Sequence, residues 1–192
     1  MKDVILIGGG GHCKSVIDVI ETGGNYKIIG IIDKKIDIGK KIYGYKILGR
    51  DDELQNLYKL CKNAIITIGQ INSPDARLSL FKIVKKIGFT LPNIISPHAY
   101  VSKRATLGDG IVIMHHAVVN SGAIIRDNCI INSRALIEHD AEICENSHIS
   151  TSVSINGGAK VLAGSFIGSG SVVSHNVIVS KNSFIKANSL VR

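Results

Sequence analysis

The sequence has no tryptophan, and aromatic residues make up only 5% of its 192 positions. Its core must therefore be aliphatic, which leans towards β structure built from Ile and Val. It has no run of the ~18 apolar residues that a membrane span needs. The first residues, MKDVILIGGGG, run straight into a glycine loop with no signal-peptide cleavage site. A cytoplasmic protein without membrane insertion is expected. The four cysteines, Cys13, Cys61, Cys129 and Cys144, show neither CxxC spacing nor a framework pattern, and read as reduced core residues. An Arg-rich stripe with interleaved aromatics, the mark of a nucleic-acid partner, is also lacking. The net charge of +8 comes from dispersed lysines, with +6 in residues 1–100 and +2 in residues 101–192. Small phosphorylated ligands fit this distribution better than nucleic acid; a merely soluble lysine-rich surface fits it as well.

What is present is a 45% hydrophobic fraction, ample for one domain or two small ones. The two halves of the chain follow different rules. In the first, short apolar runs alternate with helical patterns. DVILIGGGGH is a strand entering glycines; CKSVIDVIETGG is a helix with a glycine stop; YKIIGIID and AIITIGQ are buried strands; YKILG is a short strand. Residues 51–62 form a helix opening on acids. SPDARLSLFKIVKKIG is a helix with Ser73 as N-cap, Pro74 at the first helical position and Gly88 at its end. This is a small α/β unit on a parallel sheet.

The second half has a period of six. Every sixth residue from Val101 to Val191 is Val, Leu or Ile, and the residue two places earlier is usually Ala, Ser or Cys. This hexapeptide repeat predicts a parallel β-helix. Each short strand buries one aliphatic residue, and the chain then turns a corner where only a small side chain fits. Within this frame ALIEHDAEICENSHIS, residues 135–150, stands out for two histidines and four carboxylates. His139 follows the inward Ile137 by two places and falls near a corner. A neutral imidazole there is a suitable base for stripping an acceptor of its proton, and Asp140 could orient it; a solvated surface histidine is the other reading. His148 belongs to a polar interruption of an otherwise apolar column that runs from Glu142 through His148 and Ser154 to Lys160, as an interface or a pocket would. In the first half, GGGGH could hold a diphosphate on backbone N–H groups at the start of a helix. As a dinucleotide fingerprint it is imperfect, because the third glycine position is Cys13. Asp33 ends the second strand, where a ribose- or base-binding acid lies in such folds, and Gly69 and Gln70 follow a later strand at the same edge. A turn-forming glycine run is the alternative.

The hexads resemble the left-handed β-helix acyltransferases. Over essentially its whole length the chain is similar to the branch that includes bacterial amino-sugar N-acetyltransferases and sialic acid O-acetyltransferases. The matching segments are IGGGGH at 7–12, IID at 31–33, TIGQ at 67–70, NIISPHAYVSKRATLGDG at 93–110 and INSRALIEHDAEICENSHIS at 131–150. Relatives often end in a Gly-x-Pro-Ala-Lys-like tail near the coenzyme; this sequence ends SFIKANSLVR. The resemblance implies an α/β Rossmann-like domain over residues 1–93 that binds a sugar nucleotide, and a left-handed β-helix acetyltransferase domain over 94–192 with three hexads per coil. It implies acetyl-CoA as cosubstrate, no metal, and a homotrimer with active sites between subunits.

It further implies His139 as general base with Asp140 as its acidic partner and Asn132 nearby. His148 would hydrogen-bond near the acetyl thioester. Gly157 would offer an N–H to the developing oxyanion, unless it is simply a tight-corner glycine, and Gly168 with residues 169–173 would line the pantetheine path. Gly9, Gly10, Gly11, His12, Asp33, Gly69 and Gln70 would hold the nucleotide sugar. His139 and His148 are nine residues apart, half a coil, so one site would take one histidine from each of two chains. The implied reaction is N-acetylation of a nucleotide-linked amino sugar, such as a UDP-4-amino-4,6-dideoxy sugar, by direct attack of the amine. No cysteine lies beside the histidines to form an acyl-enzyme. O-acetylation of a sialic or related nonulosonic acid needs the same base and thioester site and is the alternative. A zinc enzyme of the β-helix type needs histidines spaced five apart, which His115–His116 and His139–His148 do not supply. A non-catalytic scaffold would show no saturable acetyl-CoA binding.

Overall fold

The computed structural model describes residues 1–192. The first part is a five-stranded sheet in the order β3-β4-β2-β1-β5. Its strands are β1 (Lys2–Ile7), β2 (Tyr26–Ile32), β3 (Lys41–Ile42), β4 (Tyr45–Gly49) and β5 (Ala64–Ile66). All pair in parallel except the small β3–β4 hairpin at one edge. Helices α1 (Gly11–Gly23), α2 (Leu54–Leu60) and α3 (Asp75–Ile87) complete the unit. Both long helices stop where a glycine, Gly24 or Gly88, takes the left-handed conformation. Two departures from the sequence reading are local. The helix expected over 51–62 begins as a 3-10 turn over Asp51–Glu53 and ends at Leu60. Pro74 precedes α3 rather than opening it, while Ser73 Oγ accepts the Asp75 N–H at 3.0 Å.

The second part is a parallel β-helix of seventeen two-residue strands, from β6 (Ile94–Ile95) to β22 (Leu190–Val191). They stack into three flat sheets of six, six and five strands. The first face begins at Ile94, the second at Tyr100 and the third at Thr106; each residue pairs with the one eighteen further on. The inward column of Ile, Val and Leu, with Ala117, Ala123, Cys129, Ala135 and Ala141 in the corners, forms one core cluster. Where a corner holds serine the hydroxyl is satisfied by donating to a carbonyl, as Ser165 Oγ does to Leu162 at 2.7 Å and Ser171 Oγ to Lys186 at 2.9 Å. The corners also set a backbone rule. Every sixth residue from Gly110 to Asn188, fourteen in all, has a positive φ. These positions hold mostly Gly, Asn and Asp, the residues that enter this region at least cost. The four cysteines are free and buried. No helix is long and apolar enough to cross a membrane.

The two parts are packed together. Ile94, Val112 and Met114 on the first face share a core cluster with α1 and the α/β sheet. Arg77 of α3, only 1% exposed, joins them: Nη1 donates to the carbonyls of Ile66 and Ile68 at the end of β5, and Nε to that of Asn128 in the β-helix.

Candidate active site

His139 lies on the edge between the second and third faces, two residues after the strand Leu136–Ile137. Asp140 takes the left-handed corner position with φ of 59°. That conformation turns its carboxylate onto the neighbouring ring, 2.9 Å from His139 Nδ1. A carboxylate can only accept, so Nδ1 carries the proton and Nε2 presents its lone pair. The side chain of His139 is 59% exposed. The hydrogen bond to Asp140 raises its pKa above the usual imidazole value. Glu138 braces this corner by accepting the His139 N–H at 3.1 Å and the Asn120 amide at 3.0 Å.

One coil further on, Gly157 underlies the ring. A Cβ there would stand 2.6 Å from His139 Nε2 and 2.7 Å from Cε1. The tight-corner reading of Gly157 is therefore corrected: the left-handed corner is Gly158, with φ of 68°, and Gly157 is bare because the imidazole rests on it. The Gly157 N–H has no hydrogen-bond partner in the chain. His175, the next residue of the same column, has its ring 6.5 Å from that of His139. An imidazole, its carboxylate partner and an unpaired N–H thus meet on one edge.

The other residues of the candidate site lie elsewhere in the single chain. His148 projects from the first face into the joint with the α/β part and is 6% exposed. Its Nδ1 donates to the Gln70 carbonyl at 2.6 Å, which leaves Nε2 to accept from Asn132 Nδ2 at 3.2 Å. Burial lowers its pKa to about 4, and Phe166 packs edge-on at 5.2 Å. Both nitrogens are engaged, so in one chain His148 is a joint residue and has no ring nitrogen left for a coenzyme. Asn132 keeps company with His148 on the first–second edge, not with His139. Gly168 shares that edge. Its Cβ would meet the backbone of the next coil, 2.7 Å from the Ile185 oxygen, which is a packing reason for glycine.

At the α/β edge, a cavity of about 400 Å³ opens beside the start of α1, with Gly8, Gly10, Asp33, Lys34, Lys35 and Gly69 in its lining. Gly10 and Gly11 have open space where a Cβ would stand, whereas a Cβ on Gly9 would strike Ile42 at 2.8 Å. Asp33 borders the cavity, but its carboxylate already accepts three backbone N–H groups, from Gly9 at 2.7 Å, Lys35 at 2.8 Å and Ile36 at 3.0 Å. These hold its pKa below the ordinary aspartate value against the opposing effect of burial. Its first task is to shape the loop. Two expected members of this edge turn away from the cavity. Gln70, 2% exposed, donates to the Asn146 carbonyl at 2.8 Å. His12 has a buried Nε2 without a partner, and burial drives its pKa down to about 3. Lys34 and Lys35 are the lining residues that the sequence reading passed over, although the doublet stands in plain view directly after IID. No group of three His, Cys, Asp or Glu side chains is placed to hold a metal ion.

Residues 3–83 match the PglD N-terminal domain family. A UDP-N-acetylbacillosamine N-acetyltransferase of Bacillus subtilis is 29% identical over 120 residues, which cover 59% of this chain and 52% of that protein. The match thus spans about half the length of the curated relative. The acetyltransferase domain of PglB from Neisseria gonorrhoeae superposes with a TM-score of 0.93 at 27% identity, over 100% of this chain and 92% of that one. A histidine variant of perosamine N-acetyltransferase from Caulobacter crescentus, solved with CoA and GDP-perosamine, gives a TM-score of 0.70 at 27% identity over 99% and 93% of the two chains. By family match over residues 3–83 and by fold over its full length, this chain is similar to the PglD N-terminal domain family and to acetyltransferases such as PglB and perosamine N-acetyltransferase.

Proposed function

We propose that the chain is an acetyl-CoA-dependent N-acetyltransferase acting on the amine of a nucleotide-linked amino sugar, with residues 1–93 holding the nucleotide and residues 94–192 the acyl chemistry. The observation that carries this reading is the His139–Asp140 pair resting on Gly157, whose N–H is free. His139 Nε2 takes the proton as the amine nitrogen attacks the thioester carbonyl carbon. Asp140 stabilises the imidazolium. The Gly157 N–H receives the charge gathering on the carbonyl oxygen. The C–S bond then breaks, and the departing thiolate takes the proton back from the imidazolium. The amino-sugar nucleotides named for the relatives favour an amine over a hydroxyl acceptor.

The working unit in this reading is a homotrimer. The outward column of the second face is Tyr100, Val118, Leu136, Ser154, Val172 and Leu190, apolar but for one serine, with Tyr100 59% and Leu190 53% exposed. The third face instead carries the ion pairs of Glu142 with Arg126 at 2.9 Å and Lys160 at 2.7 Å. If the second faces surround the three-fold axis, the second–third edge of one subunit meets the first–second edge of the next. His139 then faces the Asn132 and Gly168 edge of its neighbour across a groove that suits a pantetheine arm.

The test is thiol release from acetyl-CoA with UDP- and GDP-linked 4-amino-4,6-dideoxyhexoses and with nonulosonic acids. Turnover with an amino-sugar nucleotide, lost by roughly 10²- to 10⁴-fold in His139→Ala, is expected. Turnover with nonulosonic acids alone would replace the amine by a hydroxyl. Full activity of His139→Ala would remove the base.

A further inference from the structure

A second histidine–carboxylate pair lies on the first–second edge, where α1 meets the β-helix. His115 Nε2 is 2.8 Å from Asp18 Oδ2 of α1, and His115 Nδ1 is 2.7 Å from Ser96 Oγ. The protons follow from the partners. Asp18 only accepts, so Nε2 carries the ring proton; Ser96 donates to Nδ1, and its oxygen accepts the His98 N–H at 3.0 Å. Ser96 is 2% exposed and the His115 side chain 22%, while that of Asp18 is 66% exposed. The line therefore runs from a buried anchor out to a carboxylate in the open. An exposed aspartate on a helix ordinarily samples several rotamers. This one is held by residues 78 and 97 positions away, and its second oxygen has no partner.

Asp18 borders a cavity of about 290 Å³, whose lining also includes Lys14, Ser15, Tyr43, His115 and Ser133. Lys14 and Ser15 belong to the first turns of α1, whose start borders the larger cavity through Gly10. The two cavities thus flank the beginning of one helix. The lining of the smaller one combines a fixed acceptor with an ammonium and three hydroxyls, which suits the two free ring hydroxyls of a nucleotide-linked 4-amino-4,6-dideoxyhexose. Ser133 follows Asn132 on the edge that meets the partner's His139 in the trimer proposed above.

We propose that this cavity is the glycosyl subsite, with Asp18 as its specificity-determining residue, accepting from a sugar hydroxyl, and His115 as the positioning residue that aims the carboxylate. The inference rests on the nucleotide-sugar reading. The nucleoside diphosphate occupies the larger cavity and the start of α1, and the sugar reaches along the helix into the smaller one.

The experiment is calorimetric titration of the full chain with UDP and GDP and with the same nucleotides bearing a 4-amino-4,6-dideoxyhexose, alongside thiol release from acetyl-CoA. The readout is the ratio of the two dissociation constants, which a merely structural clasp would leave unchanged. Asp18→Ala should weaken the glycosylated nucleotide by about 10-fold or more and leave the bare nucleotide unaffected. His115→Ala should do the same to a smaller extent, and His115→Gln, which can still donate to Asp18, should recover most of the loss. Lys14→Gln, on the exposed side of α1, should lower the ratio without touching the clasp. Equal weakening of both ligands, or an unchanged ratio in Asp18→Ala, overturns the subsite. If wild type transfers acetyl with no dependence on Asp18, the subsite fails and the proposed function stands. If the glycosylated nucleotide binds in an Asp18-dependent way without thiol release, the subsite stands and the transfer reading fails.

Discussion

Gly157→Ala separates catalysis from stability. The new methyl group would stand 2.6 Å from His139 Nε2 and 2.7 Å from Cε1, against an ordinary contact of at least 3.4 Å. The ring must therefore retreat by roughly 0.8 Å, carrying Nε2 away from its seat and loosening the bond to Asp140. A displacement near 1 Å of a catalytic group costs on the order of 10²-fold in rate. Stability should move the other way. Gly157 has no positive φ, and the atoms the Cβ would meet belong to an exposed side chain free to swing. Restricting the unfolded chain then contributes ~0.4–1 kcal/mol in favour of the variant. Steady-state thiol release and thermal melting of the same preparation should show kcat down by about 10- to 100-fold with an unchanged or slightly higher Tm. Gly168→Ala is the control, because its Cβ would meet the backbone of the next coil 2.7 Å from the Ile185 oxygen; overpacking there should cost about 1–3 kcal/mol. Unchanged kcat in Gly157→Ala would refute the seating of the base on this glycine.

Other consequences are equally direct. Asp140 raises the His139 pKa, so Asp140→Asn should shift the acid limb of the kcat/KM profile to lower pH while lowering the plateau; a profile that stays in place would separate the limb from this pair. His12 and His148 are kept neutral by burial, near pKa 3 and 4 against an ordinary 6.5. The unfolded chain takes up these protons first. Stability should hold above pH 6.5 and fall between there and about pH 4, by up to ~1.4 kcal/mol per pH unit for each histidine. Denaturant melts at pH 7 and pH 5 would expose the effect, and equal midpoints would contradict the burial argument. Val118→Asp, in the middle of the apolar second face, should turn the proposed trimer into monomers in light scattering and abolish turnover while leaving nucleoside diphosphate binding intact; a trimeric variant would move the interface to another face.

The β-helix was readable because its geometry repeats. One inward residue and one small corner residue per hexad leave a period that runs unbroken over Val101–Val191. The α/β alternation was readable from its glycine stops, Gly24 and Gly88, and from the short buried strands. His139 and Asp140 were found as neighbours in sequence that remain neighbours in space. Residues whose role depends on the joint were not readable. His148 reads as part of a ligand site because a polar run interrupts an apolar column, Gln70 because it follows a strand at the α/β edge, and Asn132 through the family resemblance. Their partners lie 76 to 78 positions away across the joint, or 16 away on the next coil, and no local pattern announces which face the α/β part will cover. Gly157 shows the same limit at short range. The sequence marks a glycine at a corner, but only the stacking of residues eighteen apart reveals that it underlies an imidazole.

The unbroken eighteen-residue register makes the β-helix a graduated rod. Neighbouring rungs are separated by the strand spacing of a sheet, about 4.8 Å. An insertion or deletion of eighteen residues would slide every later side chain by one such step and leave it on the same edge. A change of six would send it round to the next face. Distances along the groove between the proposed acyl chemistry and the first face, where the α/β part is fastened, can therefore change only in whole steps. Divergence in a protein of this build is then easiest in the side chains on each rung and in the α/β part. The spacing between the edges works as a ruler that tolerates whole coils and rejects fractions of one.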